Sequence, residues 1–367
     1  MPDQASQTFT GVQKAPNGQN LVLTVDGTLD TFGFYNTNII ELYSRLEASD
    51  KQCNYYNSGV GTRTTKPNSA WKWITQNVDN AFDLPVARNF EKVILAAYRW
   101  LSERYKPGDR IFLFGFSRGA YQMRVLAAMI AKVGLMQGGN EEQIPLCVGN
   151  LTPLTPTLTA RRAFKLYKTK DNERIACRFK DTFCMKDVGV HFLGVWDAVS
   201  SVGLVGNKIL PMVDEWEHIG IFRHALALDE RRVRFIPECV MRKKHRDKTN
   251  KPINFDKETI KISTASGERI EVVRLKEVWF AGSHSDVCVG GGNLPNDGLN
   301  LESAPLLWMV NEAAIAGLLL TQSTVEWKVR DLETAKPHRS LHSFWWALEC
   351  LPLHRQSRSS RSETSHW

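Results

Sequence analysis

Residues 110–135 read RIFLFGFSRGAYQMRVLAAMIAKVGL. The run from Ile111 to Phe116 carries no polar side chain, which is typical of a strand buried on both faces of a parallel sheet. From Ala120 to Val133 the apolar residues recur at helical spacing, which predicts a helix. Gly-x-Ser-x-Gly, with Ser117 at its centre, lies between the two elements. The stretch therefore predicts a strand, a sharp turn and a helix.

The same alternation extends outward from this stretch. Short apolar runs at 21–25, 191–196 and 277–281 predict three more strands, and the spacing of apolar residues at 90–105 predicts a helix that ends before Pro107. Alternating units of this kind form a mostly parallel sheet with helices on both faces. We therefore predict an α/β fold, with insertions between some of its units.

Composition shifts divide the chain into three parts. We expect a polar N-terminal arm at 1–19, an α/β domain at 20–330, and an appended helix with a basic Ser/Arg-rich tail at 331–367. The stretches at about 136–186 and 203–272 interrupt the alternation with loops, proline and charge. We interpret these two stretches as insertions that form a lid or a wall of the substrate pocket.

The composition excludes several classes of protein. The seven cysteines of the 367 residues are scattered and contain no C-x-x-C pair, so neither a disulfide framework nor a zinc site is indicated. The N-terminus lacks the basic-then-apolar order of a signal peptide, and no apolar run approaches the ~18 residues that a spanning helix needs. We therefore predict a soluble, cytoplasmic protein that requires no metal or organic cofactor.

The formal net charge of +8 favours anionic partners. Much of this charge lies at 242–251 and in the tail from Arg355. The simplest interpretation is a solvated loop and tail, and the alternative is a weak, peripheral contact with anionic membrane surfaces. No nucleic-acid-binding motif accompanies the charge, so nucleic acid is not an expected partner.

Reactive side chains follow four of the predicted strands. They are Asp26 with Gly27 and Thr28, then Ser117, Asp197 and His284. Because ligands bind at the carboxyl ends of parallel strands, these groups are expected to meet at one edge of the sheet.

Gly-x-Ser-x-Gly in this position is the pattern of a nucleophile elbow, in which the serine hydroxyl projects above the sheet. Ser117 is then the nucleophile, and Gly115 and Gly119 are glycines because the strand and helix backbones pass close together. The alternative is a Gly-Ser turn that serves packing alone.

A serine nucleophile needs a base and a carboxylate that orients the base. His284 follows an apolar strand and lies among small residues, so it is the candidate base. Asp197 lies between Ser117 and His284 and completes the Ser, Asp, His order of α/β-hydrolases. Asp286 and Asp229 compete for the acid role. For Asp229, which belongs to ALALDERR, a salt bridge on a helix with Arg231 or Arg232 is the plainer interpretation.

The negative charge of a tetrahedral intermediate requires preformed N–H donors. The backbone N–H of Arg118, directly after Ser117, is one candidate. Gly27 or Thr28, in the turn after the first strand, is the other, and the carboxylate of Asp26 is expected to brace that turn.

Two motifs resemble those of phosphate-binding or phosphate-cleaving proteins, but each lacks residues that the chemistry requires. Asp26-Gly27-Thr28 also resembles the Asp-x-Asp-Gly-Thr motif of haloacid-dehalogenase-type phosphatases, but Thr24 stands where their nucleophilic aspartate would be. The glycines at 290–292 lack the Lys and Ser/Thr of a phosphate-binding loop, and we assign them to a tight turn at the pocket rim.

Seven motifs together resemble the DUF2235 family, whose members are α/β-hydrolases similar to the catalytic domain of Tle1-type phospholipase effectors of type VI secretion. The resemblance extends in order from about residue 20 to 325. The motifs are Val25-Asp26-Gly27-Thr28, Asn36-Thr37-Asn38, Tyr55-Tyr56 with Gly59-Val60-Gly61-Thr62, Gly115-Phe116-Ser117-Arg118-Gly119-Ala120, Val195-Trp196-Asp197, Ala225-Leu226-Ala227-Leu228-Asp229-Glu230-Arg231 and Trp279-Phe280-Ala281-Gly282-Ser283-His284-Ser285-Asp286-Val287.

The resemblance implies a hydrolase that uses Ser117, Asp197 and His284, with a phospholipid ester as its substrate. The residues themselves predict cleavage of a carboxylic ester through an acyl-enzyme. Two alternatives stay open at this stage. One is an inactive protein that keeps the fold and uses its pocket for binding, and the other is a peripheral membrane or scaffold protein whose basic loop and tail dominate its behaviour.

Overall fold

A parallel sheet forms the core of the computed structural model. Its strands are β1 (Asn20–Val25), β2 (Gln52–Asn57), β3 (Arg110–Phe116), β4 (Val190–Trp196), β5 (Ile219–Ala227) and, after a separate hairpin, β8 (Leu275–Phe280). The six strands lie in the order β2-β1-β3-β4-β5-β8, and each neighbouring pair is parallel. The predicted α/β fold with a mostly parallel sheet is confirmed.

The structure describes part of the chain. The described ranges are 18–27, 36–59, 83–138, 163–168, 173–199, 210–213, 215–232, 235, 237–240, 258–263, 268–289, 301, 303–321 and 340. Several predictions lie outside them: the arm up to residue 17, Thr28, the glycines at 290–292, the basic loop at 242–251, and the C-terminal helix and tail apart from residue 340.

The register of the strands aligns the predicted site residues. Gly115 of β3 is paired with Val25 of β1 and with Val195 of β4. Trp196, the last residue of β4, is paired with Phe116 and with Ala225. β3 and β4 thus end at the same level, β1 ends one residue before them and β5 two residues beyond, so the residues that follow these strands share one edge of the sheet.

Helices cover both faces of the sheet. They are α1 (Asn38–Ser44), α2 (Asp83–Arg104), α3 (Arg118–Val133), α4 (163–168), α5 (Glu173–Phe183) and α6 (Ser303–Ile315). Helices α2 to α5 pack on the face that carries Leu23 and Leu113, and α1 and α6 pack on the face that carries Val22 and Phe112. Because side chains alternate along a strand, uniformly apolar strands are required to supply both cores.

Two segments differ from the sequence-based expectation. ALALDERR is not helical: its first residues end β5, and β5 is fully buried in the sheet. The stretch 203–272 is therefore not one insertion, because a sheet strand lies within it. The same stretch also contributes a two-stranded antiparallel hairpin of β6 (Thr259–Ser263) and β7 (Arg269–Val273). In the part of the chain that the structure describes, no helix is both long and apolar enough to cross a membrane.

Buried charges fix α6 to the sheet. The Arg223 Nε donates to Glu312 Oε2 over 2.5 Å, and the Lys276 Nζ donates to Glu312 Oε1 over 2.7 Å. The Arg223 side chain is fully buried. Burial alone would raise the pKa of Glu312, but its contacts with Lys276 and Arg223 outweigh burial and lower this pKa. Glu312 is therefore ionised at neutral pH and balances the buried guanidinium.

Glu312→Gln is expected to lower the free energy of unfolding by about 3–5 kcal/mol, because the variant leaves the charge of Arg223 buried without its counter-ion. Urea unfolding at pH 7 measures this loss. Glu103→Gln is the control, since its ion pair with Arg104 is exposed and such pairs contribute roughly 0–1 kcal/mol. Equal unfolding midpoints for wild type and Glu312→Gln would contradict the assignment.

The same comparison has an expected pH dependence. Because the pKa of Glu312 is lowered by folding, its stabilisation is present above the unfolded carboxyl pKa of roughly 4.3 and is lost as the pH falls through the lower folded value. The difference between wild type and Glu312→Gln should therefore be full at pH 7 and should shrink in acid.

Candidate active site

Ser117 occupies a strained turn between β3 and α3. Its backbone has φ 55° and ψ −119°, a left-handed φ that is uncommon for a non-glycine residue. The Ser117 N–H donates to the carbonyl of Trp196 over 3.0 Å, and the Ser117 carbonyl accepts from the N–H groups of Tyr121 and Val199. These bonds to β4 and α3 hold the strained conformation at the carboxyl edge of the sheet.

The glycines on either side of the turn allow this close packing. A Cβ on Gly115 would lie 2.6 Å from the carbonyl oxygen of Gly119, and a Cβ on Gly119 would lie 2.4 Å from that of Asp26. Both distances are far below van der Waals contact. The structure therefore gives the physical reason for a glycine at each position and places the turn after β1 directly beside α3.

The side chains of Ser117, His284 and Asp197 form a hydrogen-bonded chain. The His284 Nε2 lies 2.9 Å from the Ser117 Oγ, and the His284 Nδ1 lies 2.5 Å from the Asp197 Oδ2. A carboxylate can only accept, so Nδ1 carries the proton and Nε2 presents its lone pair to the serine hydroxyl. All three residues are buried, with Asp197 fully so. The structure thus brings together three predicted residues that are far apart in the chain.

Asp197 is itself anchored at its second oxygen. The Asp197 Oδ1 accepts the N–H of Ala227 over 3.0 Å, and the Asp197 N–H donates to the carbonyl of Ala225 over 2.7 Å. Asp197 also has a positive φ of 40°. The end of β5 therefore holds the carboxylate in an orientation that points Oδ2 at the imidazole.

Two aromatic rings enclose the His284 imidazole. Phe116 is stacked on it with a centroid distance of 4.8 Å, and Phe235 packs against it at 5.1 Å. A ring face carries negative electrostatic potential, so the stacked Phe116 ring favours an imidazolium at His284. Neither phenylalanine was predicted from the sequence as a residue of the site, although Phe116 stands next to Ser117.

The two competing aspartates have other contacts. The Asp286 Oδ2 accepts the N–H and the hydroxyl of Ser283, over 2.7 and 3.0 Å, and so closes the turn that carries His284. The Asp229 Oδ2 accepts the N–H of Gly282 over 2.7 Å. The expected helix around Asp229 is wrong, because Asp229 lies just after strand β5, which ends at Ala227.

Glu230 forms the ion pair that had been expected for Asp229. It binds Arg232 over 2.7 Å, and its carboxylate also accepts the His284 N–H over 3.1 Å. Glu230 was not predicted from the sequence as a residue of the site. The only available signal was its place beside Asp229 in the ALALDERR motif.

The turn after β1 lies on the other side of Ser117. The Asp26 Oδ1 accepts the Gly27 N–H over 2.8 Å, while Oδ2 accepts the hydroxyls of Thr37 and Tyr56 over 2.7 and 3.3 Å. The Gly27 N–H is therefore engaged within the turn, contrary to its expected role as an oxyanion donor. Thr28, which lies outside the described residues, is then the predicted donor from this turn.

Arg118 begins α3, so its backbone N–H belongs to the first turn of a helix, where N–H groups and the helix dipole favour negative charge. Within the described ranges, no group of three or more His, Cys, Asp or Glu side chains is arranged to hold a metal ion. The arrangement is suited to proton transfer from Ser117 to His284 and to stabilisation of an oxyanion near the start of α3.

Comparisons with known proteins give a family match and include the similar proteins described here. The chain is 34% identical over 239 residues to the uncharacterized protein YEL023C of Saccharomyces cerevisiae, a match that covers 61% of this chain and 33% of that protein. The chain thus spans about a third of the length of this curated relative.

Two solved structures are also similar. A crystal structure of an uncharacterized protein from Pseudomonas aeruginosa has a TM-score of 0.39 and 17% identity, covering 83% of this chain and 46% of that one. A structure of the Tle1 effector bound to the VgrG spike from the Type 6 secretion system has a TM-score of 0.37 and 16% identity, covering 76% and 51%.

The family model described as "T6SS, Phospholipase effector Tle1-like, catalytic domain" matches residues 19–312. The matched segment begins just before β1 and ends within α6, so it includes all the strands of the parallel sheet. The chain therefore belongs to the family of T6SS phospholipase effector Tle1-like catalytic domains.

Proposed function

We propose that this protein is a serine hydrolase that cleaves a carboxylic ester of a phospholipid or related lipid, with a catalytic unit at about 20–330. The hydrogen-bonded chain from Ser117 through His284 to Asp197 is the observation that carries the proposal. Membership of a phospholipase-like family supports a lipid as the substrate.

Acylation would begin with proton transfer within this chain. His284 Nε2 takes the proton of Ser117 Oγ as the oxygen attacks the acyl carbon. Asp197 keeps the imidazole in the required tautomer and stabilises the imidazolium. The new oxyanion is held by the Arg118 N–H at the start of α3, with Thr28 as the second proposed donor.

Collapse of the tetrahedral intermediate then breaks the bond between the acyl carbon and the leaving alcohol's oxygen. The imidazolium of His284 returns its proton to that oxygen, which leaves an acyl ester on Ser117. In the second half, His284 removes a proton from water as the water oxygen attacks the acyl carbon. The imidazolium then returns that proton to Ser117 Oγ as the bond between this oxygen and the acyl carbon breaks, which releases the fatty acid. Each step uses side chains and backbone groups of this chain.

A substrate panel tests the proposal. Wild type and Ser117→Ala are compared for fatty-acid release from phosphatidylglycerol and phosphatidylethanolamine vesicles, from a triacylglycerol emulsion and from p-nitrophenyl butyrate. We expect wild type to hydrolyse at least one of these esters and Ser117→Ala to lose that activity while it stays folded.

The alternative functions give different outcomes in the same assay. A binding protein with an inactive pocket would hydrolyse none of these esters. A peripheral scaffold would bind anionic vesicles, would lose that binding when residues 355–367 are deleted, and would be indifferent to Ser117→Ala. Either result would overturn the proposed hydrolase.

A further inference from the structure

The segment that follows β5 lies along the loop that carries His284. The Leu228 N–H donates to the carbonyl of Phe280 over 2.9 Å, which extends the pairing of β5 with β8. Asp229 then forms two hydrogen bonds with Gly282. The Asp229 N–H donates to the Gly282 carbonyl over 2.9 Å, and the Asp229 carboxylate accepts the Gly282 N–H over 2.7 Å. The proposed reaction makes no use of these contacts.

Glu230, the next residue, forms a hydrogen bond with His284 itself. Its Oε2 accepts the backbone N–H of His284 over 3.1 Å, and its side chain is 1% exposed. Arg232 balances the carboxylate with three bonds, from its Nη2, its Nε and its backbone N–H, over 2.7, 2.9 and 2.7 Å. A buried carboxylate held in this way is a fixed, charged acceptor, and such hydrogen bonds are roughly twice as strong as neutral ones.

Glu230 is also linked to the His284 imidazole indirectly, through Arg232 and Phe235. The guanidinium of Arg232 lies 3.9 Å from the ring centre of Phe235, and Phe235 packs against the imidazole of His284 at 5.1 Å. Glu230 therefore contacts the backbone of His284 directly and supports one wall around its ring through Arg232 and Phe235.

Glu230 is charged at neutral pH. Burial alone would raise its pKa, but the hydrogen bonds from Arg232 and from the His284 N–H outweigh burial and hold the pKa below its usual range. The ionised form is the one that these four N–H donors require.

We propose that Glu230 is a positioning residue that sets the orientation of the His284 imidazole toward Ser117 and Asp197. This inference rests on the proposed hydrolase function. Its physical reason is that the hydrogen bonds at Nε2 and Nδ1 both depend on where the His284 backbone lies, and a misplacement of about 1 Å in an active site lowers rates by on the order of 100-fold. Asp229 assists by fixing Gly282, two residues earlier.

Steady-state kinetics with p-nitrophenyl butyrate test the effect on turnover. Glu230→Ala is expected to lower kcat by about 10- to 100-fold with KM changed by less than about threefold, because ground-state binding is not altered. Glu230→Gln keeps an oxygen that can accept the His284 N–H, so its kcat should lie between those of Glu230→Ala and wild type. Because glutamine has nearly the size and shape of glutamate, this variant also serves if Glu230→Ala fails to fold.

Asp109→Ala is the matched control. Asp109 is a buried carboxylate that also accepts two backbone N–H groups, from Gln19 and Lys106, but it precedes β3 and so lies at the opposite end of that strand from Ser117. This variant should lose stability and keep its kcat. A purely structural role for Glu230 would make the two alanine variants behave alike.

A spectroscopic measurement tests the orientation without turnover. In protein labelled with ¹⁵N-histidine, the Nδ1–H proton of His284 is identified by its loss in His284→Ala. Glu230→Ala should shift or broaden this resonance, and Asp109→Ala should leave it unchanged.

An unchanged resonance together with a kcat like that of Asp109→Ala would overturn the role of Glu230. If wild type shows no Ser117-dependent hydrolysis, the hydrolase proposal itself fails, and the resonance alone decides whether Glu230 orients His284.

Discussion

Replacing His284 with alanine is expected to lower kcat for ester hydrolysis by roughly 10⁴- to 10⁶-fold. The imidazole Nε2, 2.9 Å from the Ser117 Oγ, is the proposed acceptor for the serine proton. Without it the hydroxyl stays protonated and attacks the acyl carbon far more slowly. Release of p-nitrophenol from p-nitrophenyl butyrate measures the loss, and circular dichroism verifies that the variant is folded.

His191→Ala is the control for this experiment. His191 is also buried, but it lies at the start of β4, where its Nε2 contacts the Ala316 carbonyl at 3.0 Å, away from Ser117. Its replacement should reduce stability while the folded protein keeps its turnover. A similar loss of kcat in both variants would mean that the histidine at 284 has no special part in the reaction.

Gly119→Ala is expected to lower the free energy of unfolding by about 3 kcal/mol or more, which is at the upper end for overpacked sites. The new Cβ would lie 2.4 Å from the Asp26 carbonyl oxygen and 2.5 Å from that of Val25, and both are backbone atoms that cannot rotate away. Either β1 or α3 must move, and the turn at Ser117, which begins α3, is displaced as well. Urea unfolding and loss of ester hydrolysis measure the two consequences.

The expected loss of stability is opposite in sign to the effect of the same substitution in an ordinary helix. In an ordinary helix, replacing glycine with alanine stabilises by about 1 kcal/mol. Ala131→Gly, in the same helix at a half-buried position, should therefore destabilise by about that amount. If Gly119→Ala were instead more stable than wild type, the close approach of α3 to the turn after β1 would be refuted.

The local patterns were sufficient to predict the centre of the fold. The apolar run 111–116, the glycines around Ser117 and the helical spacing after them are adjacent in the chain, so they determine the strand, the turn and the helix without distant contacts. Parallel pairing then places whatever follows each strand at one edge, which is why Asp197 and His284 were found as neighbours of Ser117.

Elements that depend on their neighbours were harder to predict. β5 contains ALA, and alanine and leucine favour helices in isolation, so only its position between β4 and β8 makes this segment a strand. β2 reads QCNYYN, and its polar residues conceal a strand that lies at the edge of the sheet.

Side-chain contacts between distant segments were not predictable either. Glu230 binds the N–H of a residue 54 positions later, and Asp26 binds the hydroxyls of Thr37 and Tyr56. A carboxylate on a polar stretch has many possible partners in solution, and only the folded geometry selects one. The engagement of the Gly27 N–H by Asp26 has the same origin.

The role of Ser117 as the nucleophile is tested most directly by the reaction of the folded wild-type protein with a fluorophosphonate, followed by peptide mass spectrometry. We predict one covalent adduct on Ser117, formed slowly in His284→Ala and absent in Ser117→Ala. This role of Ser117 would be contradicted if the folded wild-type protein formed no adduct. It would also be contradicted if the adduct formed on another serine and Ser117→Ala still hydrolysed the ester.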